Sequence, residues 1–357
     1  MKILLVGPYP PPHGGVSVHV YEARRQLHLS GIECQVVNVD PRAPASDNFI
    51  SIRGGADLFR TLLDFARKGW ILHVHTNGHN RKSWLVALTA GLAGLPGPGS
   101  MLTLHSGMAP AYLAHGRVSA RLLARLVCSL YRRVIAVAPE VRTTVLSLGV
   151  PAARVELLPA FLFTAPSPAE LPELRMVEGR RPLLASTLFF RREYGFELLV
   201  EAIDRLRCEH PEIACLVMGS GERQAEAMQL LTKRRLENCI YLLGNVPHQK
   251  CISVMSRCDL LVRPALADGD ASSVREALSL GVPVVASDVG NRPAGTVLFR
   301  TGDLDDLVSK IEETWSRPHL PPANNRLATG SFESLLDIYG ALQPARLTGT
   351  RKEQWEN

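Results

Sequence analysis

The sequence predicts an α/β protein made of two Rossmann-like, doubly wound parallel-sheet domains facing each other across a cleft. Three observations predict it. Short β-rich runs alternate with longer helical stretches along nearly the whole chain. The strand-like runs lack clean two-residue alternation, as expected of strands covered on both faces by helices. A proline-rich break divides the alternation into two similar halves, and 357 residues at roughly 150 per domain suit two domains.

The elements follow in order. KILLVG (2–7) reads as a strand, Val16 to Leu29 as an amphipathic helix, and CQVVNV (34–39) as a strand. ILHVHT (71–76), a helix from Lys82 to Leu92 and MLTLH (101–105) continue the pattern. RVIAVA (133–138), a helix from Glu140 to Leu148 and RVELLP (154–159) close the first half. Between Pro159 and Pro182, Pro166, Pro168 and Pro172 stand among Ser, Ala and Glu, which forbids a continuous helix and reads as a linker. The second half runs PLLAST (182–187), a helix from Phe196 to Cys208, IACLVMG (213–219), a helix near 222–235 and IYLLG (240–244). A short helix through Met255, DLLVRP (259–264), a helix from Ser272 to Leu280 and VPVVAS (282–287) complete it. Asp303 to Trp315 reads as a helix, a turn with Pro318, Pro321 and Pro322 follows, and SFESLLDIYGAL (331–342) reads as a last helix. The expected organisation is a first domain over 1–165, a linker over 166–181 and a second domain over 182–330. A helix over 331–343 packs back toward the first domain, and 344–357 is a polar tail.

Composition narrows the class. With 46% hydrophobic and 21% charged residues the chain is globular, which excludes disorder and collagen-like repetition. Runs such as KILLVG and LLASTLFF fall far short of the ~20 residues of a membrane span. No basic segment precedes the first strand, so no signal peptide is expected. The seven cysteines form no C-x-x-C pair and read as reduced, buried thiols of a cytoplasmic protein. Residues 1–165 carry 17 Lys and Arg against 8 Asp and Glu, whereas the remainder carries 23 against 26. The halves therefore face different partners, or the chain simply has a basic surface. Nucleic acid is disfavoured, because the basic half lacks clustered aromatics and a helix-turn-helix pattern.

Two segments carry chemistry. Pro10-Pro11-Pro12-His13-Gly14-Gly15 lies between the first strand and the first helix. Two glycines there let backbone approach a bulky anion at a helix N-terminus, or simply make a tight βα turn. The second segment is RPALADGDASSVREALSLGVPVVASDVG (263–290). It places Asp268 at the carboxyl end of a strand and Glu276 a turn inside the next helix. Carboxylates there suit the hydroxyls of a sugar and a ribose, or else cap and solvate the helix. Asp270, Ala271, Ser272 and Ser273 at the helix start offer N–H groups and hydroxyls to a diphosphate.

That second segment resembles the signature of the retaining glycosyltransferases of family 4 (group 1), which have the two-lobed GT-B fold. Glu276-Ala277 through Gly281, Pro283 and Ser287 fit the family's E-A-x-x-x-G-x-P-V-V-A-S pattern. VGPYPPPHGGVSVHV (6–20), RVIAVAPEVRTTVLSLGV (133–150), YGFELLVEAI (194–203), VMGSGE (217–222) and GNVPHQKCISVMSRCDLLVRP (244–264) are similar to other family segments, in order. The resemblance implies that Gly14 and Gly15 approach the donor diphosphate and that His105 bonds the donor sugar or the charge developing near it. It implies that Asp268 holds sugar hydroxyls and Glu276 the ribose. Read without the resemblance, His105 is a capping or core histidine.

The chain departs from the family at three points. Asp268 stands where Glu is usual. STLFFRREYG (186–195) puts Phe189 and Tyr194 where the family has an Arg and a Lys, leaving Arg191 and Arg192 as the nearest cations for the diphosphate. Ala294 follows Pro293 where an acid is usual. Asp268-Gly269-Asp270 also spells the D-x-D metal motif of another fold, but it sits inside the two-lobe pattern. Charge neutralisation without a metal or other cofactor is therefore expected.

RVSARLLARLVCSLYRRV (117–134) sets Arg117, Arg121, Arg125, Arg132 and Arg133 around an apolar stripe of Leu122, Leu126, Val127 and Leu130. It is either a surface helix with its stripe inward or a helix lying on an anionic membrane. The resemblance implies a retaining hexosyltransferase in polysaccharide or glycoconjugate biosynthesis. It would act from a nucleoside-diphosphate sugar on a glycan or lipid-linked acceptor, in the cytoplasm or at the cytoplasmic membrane face. The rivals are a nucleotide-sugar 2-epimerase of the same fold and a nucleotide-sugar-binding subunit without catalysis.

Overall fold

The fold is that of a computed structural model, which describes residues 1–11, 13–41, 43, 46–116, 118–160, 166, 171–316 and 326–342. Pro12, Arg117, Pro168, the turn at Pro318, Pro321 and Pro322, part of the linker and the tail at 344–357 lie outside the described residues.

The first sheet contains β1 (Lys2–Gly7), β2 (Glu33–Asn38), β3 (Ile50–Ser51), β4 (Ile71–Thr76), β5 (Ser100–Leu104), β6 (Arg133–Ala136) and β7 (Val155–Leu157). Their order is β3-β2-β1-β4-β5-β6-β7, and every neighbouring pair is parallel. Its helices are α1 (Gly15–Leu29), α2 (Gly55–Arg67), α3 (Arg81–Ala93), α4 (Ala109–His115), α5 (Val118–Ser129) and α6 (Pro139–Ser147). The second sheet contains β8 (Leu183–Thr187), β9 (Ala214–Met218), β10 (Ile240–Gly244), β11 (Leu260–Arg263), β12 (Val284–Ser287) and β13 (Val297–Phe299). It is also parallel, in the order β10-β9-β8-β11-β12-β13. With it go α7 (Phe196–Leu206), α8 (Gln224–Arg234), α9 (His248–Met255), α10 (Ser272–Ser279) and α11 (Leu304–Trp315), and α12 (Arg326–Leu342) ends the described chain.

Most strand residues are apolar and buried because helices cover both faces. Leu4, Val6, Leu72 and Val74 enter one core of the first lobe, while Ile3, Leu5 and Ile71 enter the other. The second lobe repeats the arrangement, with Leu184 and Val262 on one side and Ala185 and Leu261 on the other. α12 begins at Arg326, earlier than the expected 331, and packs on the first lobe. Leu335, Tyr339 and Leu342 join Ile3, Leu5, Val20 and Leu27, and the Tyr339 hydroxyl meets His73 Nδ1 at 2.6 Å.

The basic stretch differs from the expectation. The helix stops at Ser129, and Arg133 already belongs to β6. Ala124, Val127 and Cys128 are buried, whereas Leu122 and Leu126 are 61% and 51% exposed. At 100° per residue those two leucines stand on a different side from Ala124, so the expected stripe is split between core and surface. α2 had no counterpart in the sequence reading, although its buried Leu58, Leu62 and Ala66 recur every four residues.

In each sheet the strand order reverses beside the first strand, between β1 and β4 and between β8 and β11. Ligands of doubly wound folds bind in the crevice outside the carboxyl ends of the strands at that point. Here the two crevices face each other.

Candidate functional site

A cleft of about 440 Å³ lies between the lobes, within the usual size for small-molecule sites. Its walls are the segments that leave the carboxyl ends of the strands. Gly14 and Gly15 follow β1, His79 follows β4 and His105 follows β5; Phe189 and Arg191 follow β8, and 267–273 follow β11.

Two helix starts converge on it from opposite lobes. α1 begins at Gly15, where Ser17 Oγ accepts from the Gly14 N–H and donates to its carbonyl. α10 begins at Ser272 after Ala271, with no side chain capping it. Unpaired N–H groups and the positive dipole end make such starts anion-binding. A Cβ on Gly14 would lie 2.5 Å from the Phe189 ring of the opposite lobe, while Gly15 has open space. Any side chain at 14 would therefore have to push the tip of that ring aside.

Of the two expected cations, only Arg191 borders the cleft; Arg192 is exposed outside it. Arg192 sits in a short 3-10 turn over Arg192–Tyr194 that carries consecutive side chains to different sides. The sequence reading missed Arg263, which is buried, lines the cleft and lies 4.9 Å over the Tyr194 ring.

Asp268 is not free to grip a sugar. Arg263 donates to both of its oxygens at 3.0 and 3.2 Å, and Arg292 Nη1 donates at 3.0 Å. Burial opposes ionisation, but the two guanidiniums outweigh it and hold this carboxyl below its usual range. The Asp270 side chain is likewise withdrawn from the cleft. It is wholly buried and accepts from Arg275 Nε at 2.7 Å and from the Ala160 N–H at 3.0 Å. Burial pushes its pKa up to about 6. Its backbone and those of Ala271, Ser272 and Ser273 remain at the cleft wall.

Glu276 lines the cleft from inside α10 and is buried. His248 at the start of α9 meets it at 2.9 Å through Nε2, and meets Glu22 of α1 at 3.3 Å through Nδ1. Burial alone would lower the His248 pKa, yet the two carboxylates raise it to about 10. A charged imidazole thus ties the two lobes together in the cleft wall. The sequence signal was faint: a His after Pro247 at a helix start.

The lobes also touch through bare backbone. A Cβ on Gly107 would lie 1.5 Å from the Asp268 carbonyl oxygen. Beside this contact His105 reaches the cleft, with Nε2 3.1 Å from His75 Nδ1. Burial, and then neighbouring histidines, lowers the His105 pKa well below the ordinary value, so the ring is neutral. No helix among the described residues is long and apolar enough to cross a membrane.

Comparisons with known proteins agree with this geometry. The Glycosyltransferase Family 4 model matches residues 13–165, and the Glycosyl transferases group 1 model matches residues 177–317. The gpi3 subunit of phosphatidylinositol N-acetylglucosaminyltransferase from Schizosaccharomyces pombe is 28% identical over 171 residues, or 46% of this chain. The chain spans only 36% of that relative's length. Among solved structures, sucrose-phosphate synthase from Thermosynechococcus elongatus superposes with a TM-score of 0.73 at 18% identity, covering 96% of this chain and 99% of that one. HepE of Anabaena, solved with UDP-glucose, gives 0.68 at 16% identity over 96% and 100%. At such identities these two likenesses show the fold, which is GT-B. With one family model on each lobe and the E-A-x-x-x-G-x-P-V-V-A-S segment on the cleft wall, the chain belongs to the group 1 glycosyltransferases of family 4.

Proposed function

We propose that the chain is a retaining glycosyltransferase that moves a hexose from a nucleoside-diphosphate sugar to a hydroxyl of a glycan or lipid-linked acceptor. The observation that carries this reading is the convergence of two helix starts from opposite lobes on one cleft, with Arg191 and Arg263 beside them. That arrangement suits a diphosphate, whose charge grows as it departs. Glu276, held by His248, takes the ribose, and His105 faces the sugar. Asp268 acts indirectly, by fixing Arg263 and Arg292. No protein nucleophile is required: the acceptor hydroxyl attacks the face the diphosphate leaves and passes its proton to the departing phosphate oxygen, while apposed lobes exclude water. The names of relatives support the class, and HepE was solved with UDP and with UDP-glucose. The exposed Val118, Leu122 and Leu126, spaced every four residues beside Arg121 and Arg125, suit a peripheral stay at the cytoplasmic membrane face.

Thermal shifts with UDP, GDP and ADP and their sugars test the reading. A bound ligand at 100 times its dissociation constant adds about 2.7 kcal/mol. Stabilisation by one nucleotide series, and sugar transfer that Glu276→Ala removes, are the expected results; no stabilisation by any of them rejects the reading. Phe189 and Tyr194 at the family's cationic positions favour one rival, a binding subunit without catalysis. It wins if the wild type binds nucleotide yet turns over no faster than Glu276→Ala.

A further inference from the structure

Beneath the cleft floor of the first lobe, four histidines crowd together. His19 comes from α1, His73 and His75 from β4, and His105 from just past β5. Three of them form a near-equilateral triangle, with ring centroids 5.3 Å apart for His19–His75, 5.1 Å for His19–His105 and 5.3 Å for His75–His105. Each offers one ring nitrogen, and the three nitrogens lie within 4.8 Å of one another. The proposed sugar transfer uses only His105.

We propose that His19, His75 and His105 form a binding site for a divalent transition-metal ion of the zinc type, with its open coordination position toward the cleft. The spacing is the first argument. His75 Nδ1 and His105 Nε2 share a proton in a 3.1 Å hydrogen bond, and an ion that replaced that proton would need little movement to reach the roughly 3.4 Å that tetrahedral geometry sets between two nitrogens each about 2.0–2.1 Å from one zinc. The second argument is satisfaction. His19 Nδ1 is buried with no hydrogen-bond partner among the described residues, in a residue only 8% exposed. Orphaned polar atoms of this kind are costly, and a cation takes up the His19 lone pair.

Orientation is the third argument. His19 bonds the Ala160 backbone, which aims the ring and fixes its tautomer. His73 stacks 3.9 Å from His75 and is itself held by Tyr339 and Thr103 at 2.6 and 2.7 Å.

The donor set indicates the metal class. Three imidazoles suit zinc, cobalt, nickel or copper and not magnesium or calcium. Three protein ligands and one open position describe a site that accepts a water or a substrate oxygen rather than a purely structural one. His105 borders the cleft, so a sugar hydroxyl there completes the sphere. This ion is not a counter-ion for the diphosphate, and its site stands whether or not the chain transfers sugar.

The test uses the full chain, stripped with a chelator, and reads metal content, zinc calorimetry and the visible bands of added Co2+. One equivalent of zinc and a tetrahedral cobalt spectrum are expected. His19→Gln and His75→Gln each lower affinity by about 100-fold or more. His210→Gln, which spoils the other metal-like cluster of Glu209, His210 and Glu312, leaves binding unchanged. If the two buried variants do not fold, His105→Gln, at a partly exposed position, takes their place with the same expected loss. Absence of zinc binding by the wild type overturns the proposal. So does binding that only His210→Gln removes, or binding unaffected by loss of the triad.

Discussion

Replacing His248 with alanine tests the electrostatics of the cleft wall. In the wild type, side chains only 7%, 3% and 5% exposed at His248, Glu22 and Glu276 share one positive charge. A pKa raised from 6.5 to about 10 corresponds to roughly 5 kcal/mol at about 1.36 kcal/mol per unit. Breaking a buried ion pair by removing one partner costs about 3–5 kcal/mol, so the two routes agree. Glu22 keeps Arg25 at 2.7 Å, which places the expected loss toward the lower figure. The group's pKa is higher in the folded chain, so its stabilisation is complete below pH 6.5 and is lost as pH rises through about 10. Urea unfolding of wild type and His248→Ala across that range should show a gap of about 3 kcal/mol or more on the acid side. The gap should narrow on the alkaline side. Donor affinity should fall in the variant as well, because Glu276 loses its anchor. A gap below about 1 kcal/mol at every pH, or one that widens with pH, refutes a charged His248.

Three further outcomes follow from the cleft. Arg191→Ala should weaken donor binding by roughly tenfold or more in calorimetry, while Arg192→Ala should leave it near the wild-type value; equal effects would reject the placement of these two side chains. Gly107→Ala forces the lobes apart at Asp268, at a cost of about 1–3 kcal/mol; turnover should drop at least about fivefold with the melting of the lobes little changed, and full turnover would deny that the contact matters. Asp268→Asn leaves Arg263 and Arg292 buried without their carboxylate, which should destabilise the chain by about 3–5 kcal/mol at neutral pH. Because the Asp268 pKa is depressed, the difference between wild type and variant should shrink as pH falls below 3.8, and a difference that is constant into acid contradicts the pairing.

Local patterns made much of this legible in advance. Apolar strands without alternation, the glycines at 14 and 15, and the run from Glu276 to Ser287 each report their own neighbourhood, and the fold and cleft walls follow from them. Partnerships across the chain leave no such trace. His248 and Glu22 are 226 residues apart, and Arg292 is 24 residues from the Asp268 it holds. Arg263 is only five residues away in the acid's own segment, but the turn that folds it back onto Asp268 has no signature there. The histidines at 19, 75 and 105 are ordinary within their separate segments, and only the adjacency of β1, β4 and β5 with α1 above them makes a cluster. At Leu122 and Leu126 the pattern was legible but left two orientations open, and both side chains face outward.

The packing of Leu335, Tyr339 and Leu342 against Ile3, Leu5 and Val20 makes the first lobe discontinuous in sequence. During synthesis the ribosome releases β1 early, yet α1 covers only part of that apolar side of its sheet until α12 emerges, after the entire second lobe. Nascent chains are therefore vulnerable to association for most of translation, and a fragment cut after β7 should be recovered aggregated unless a peptide spanning α12 is supplied in trans.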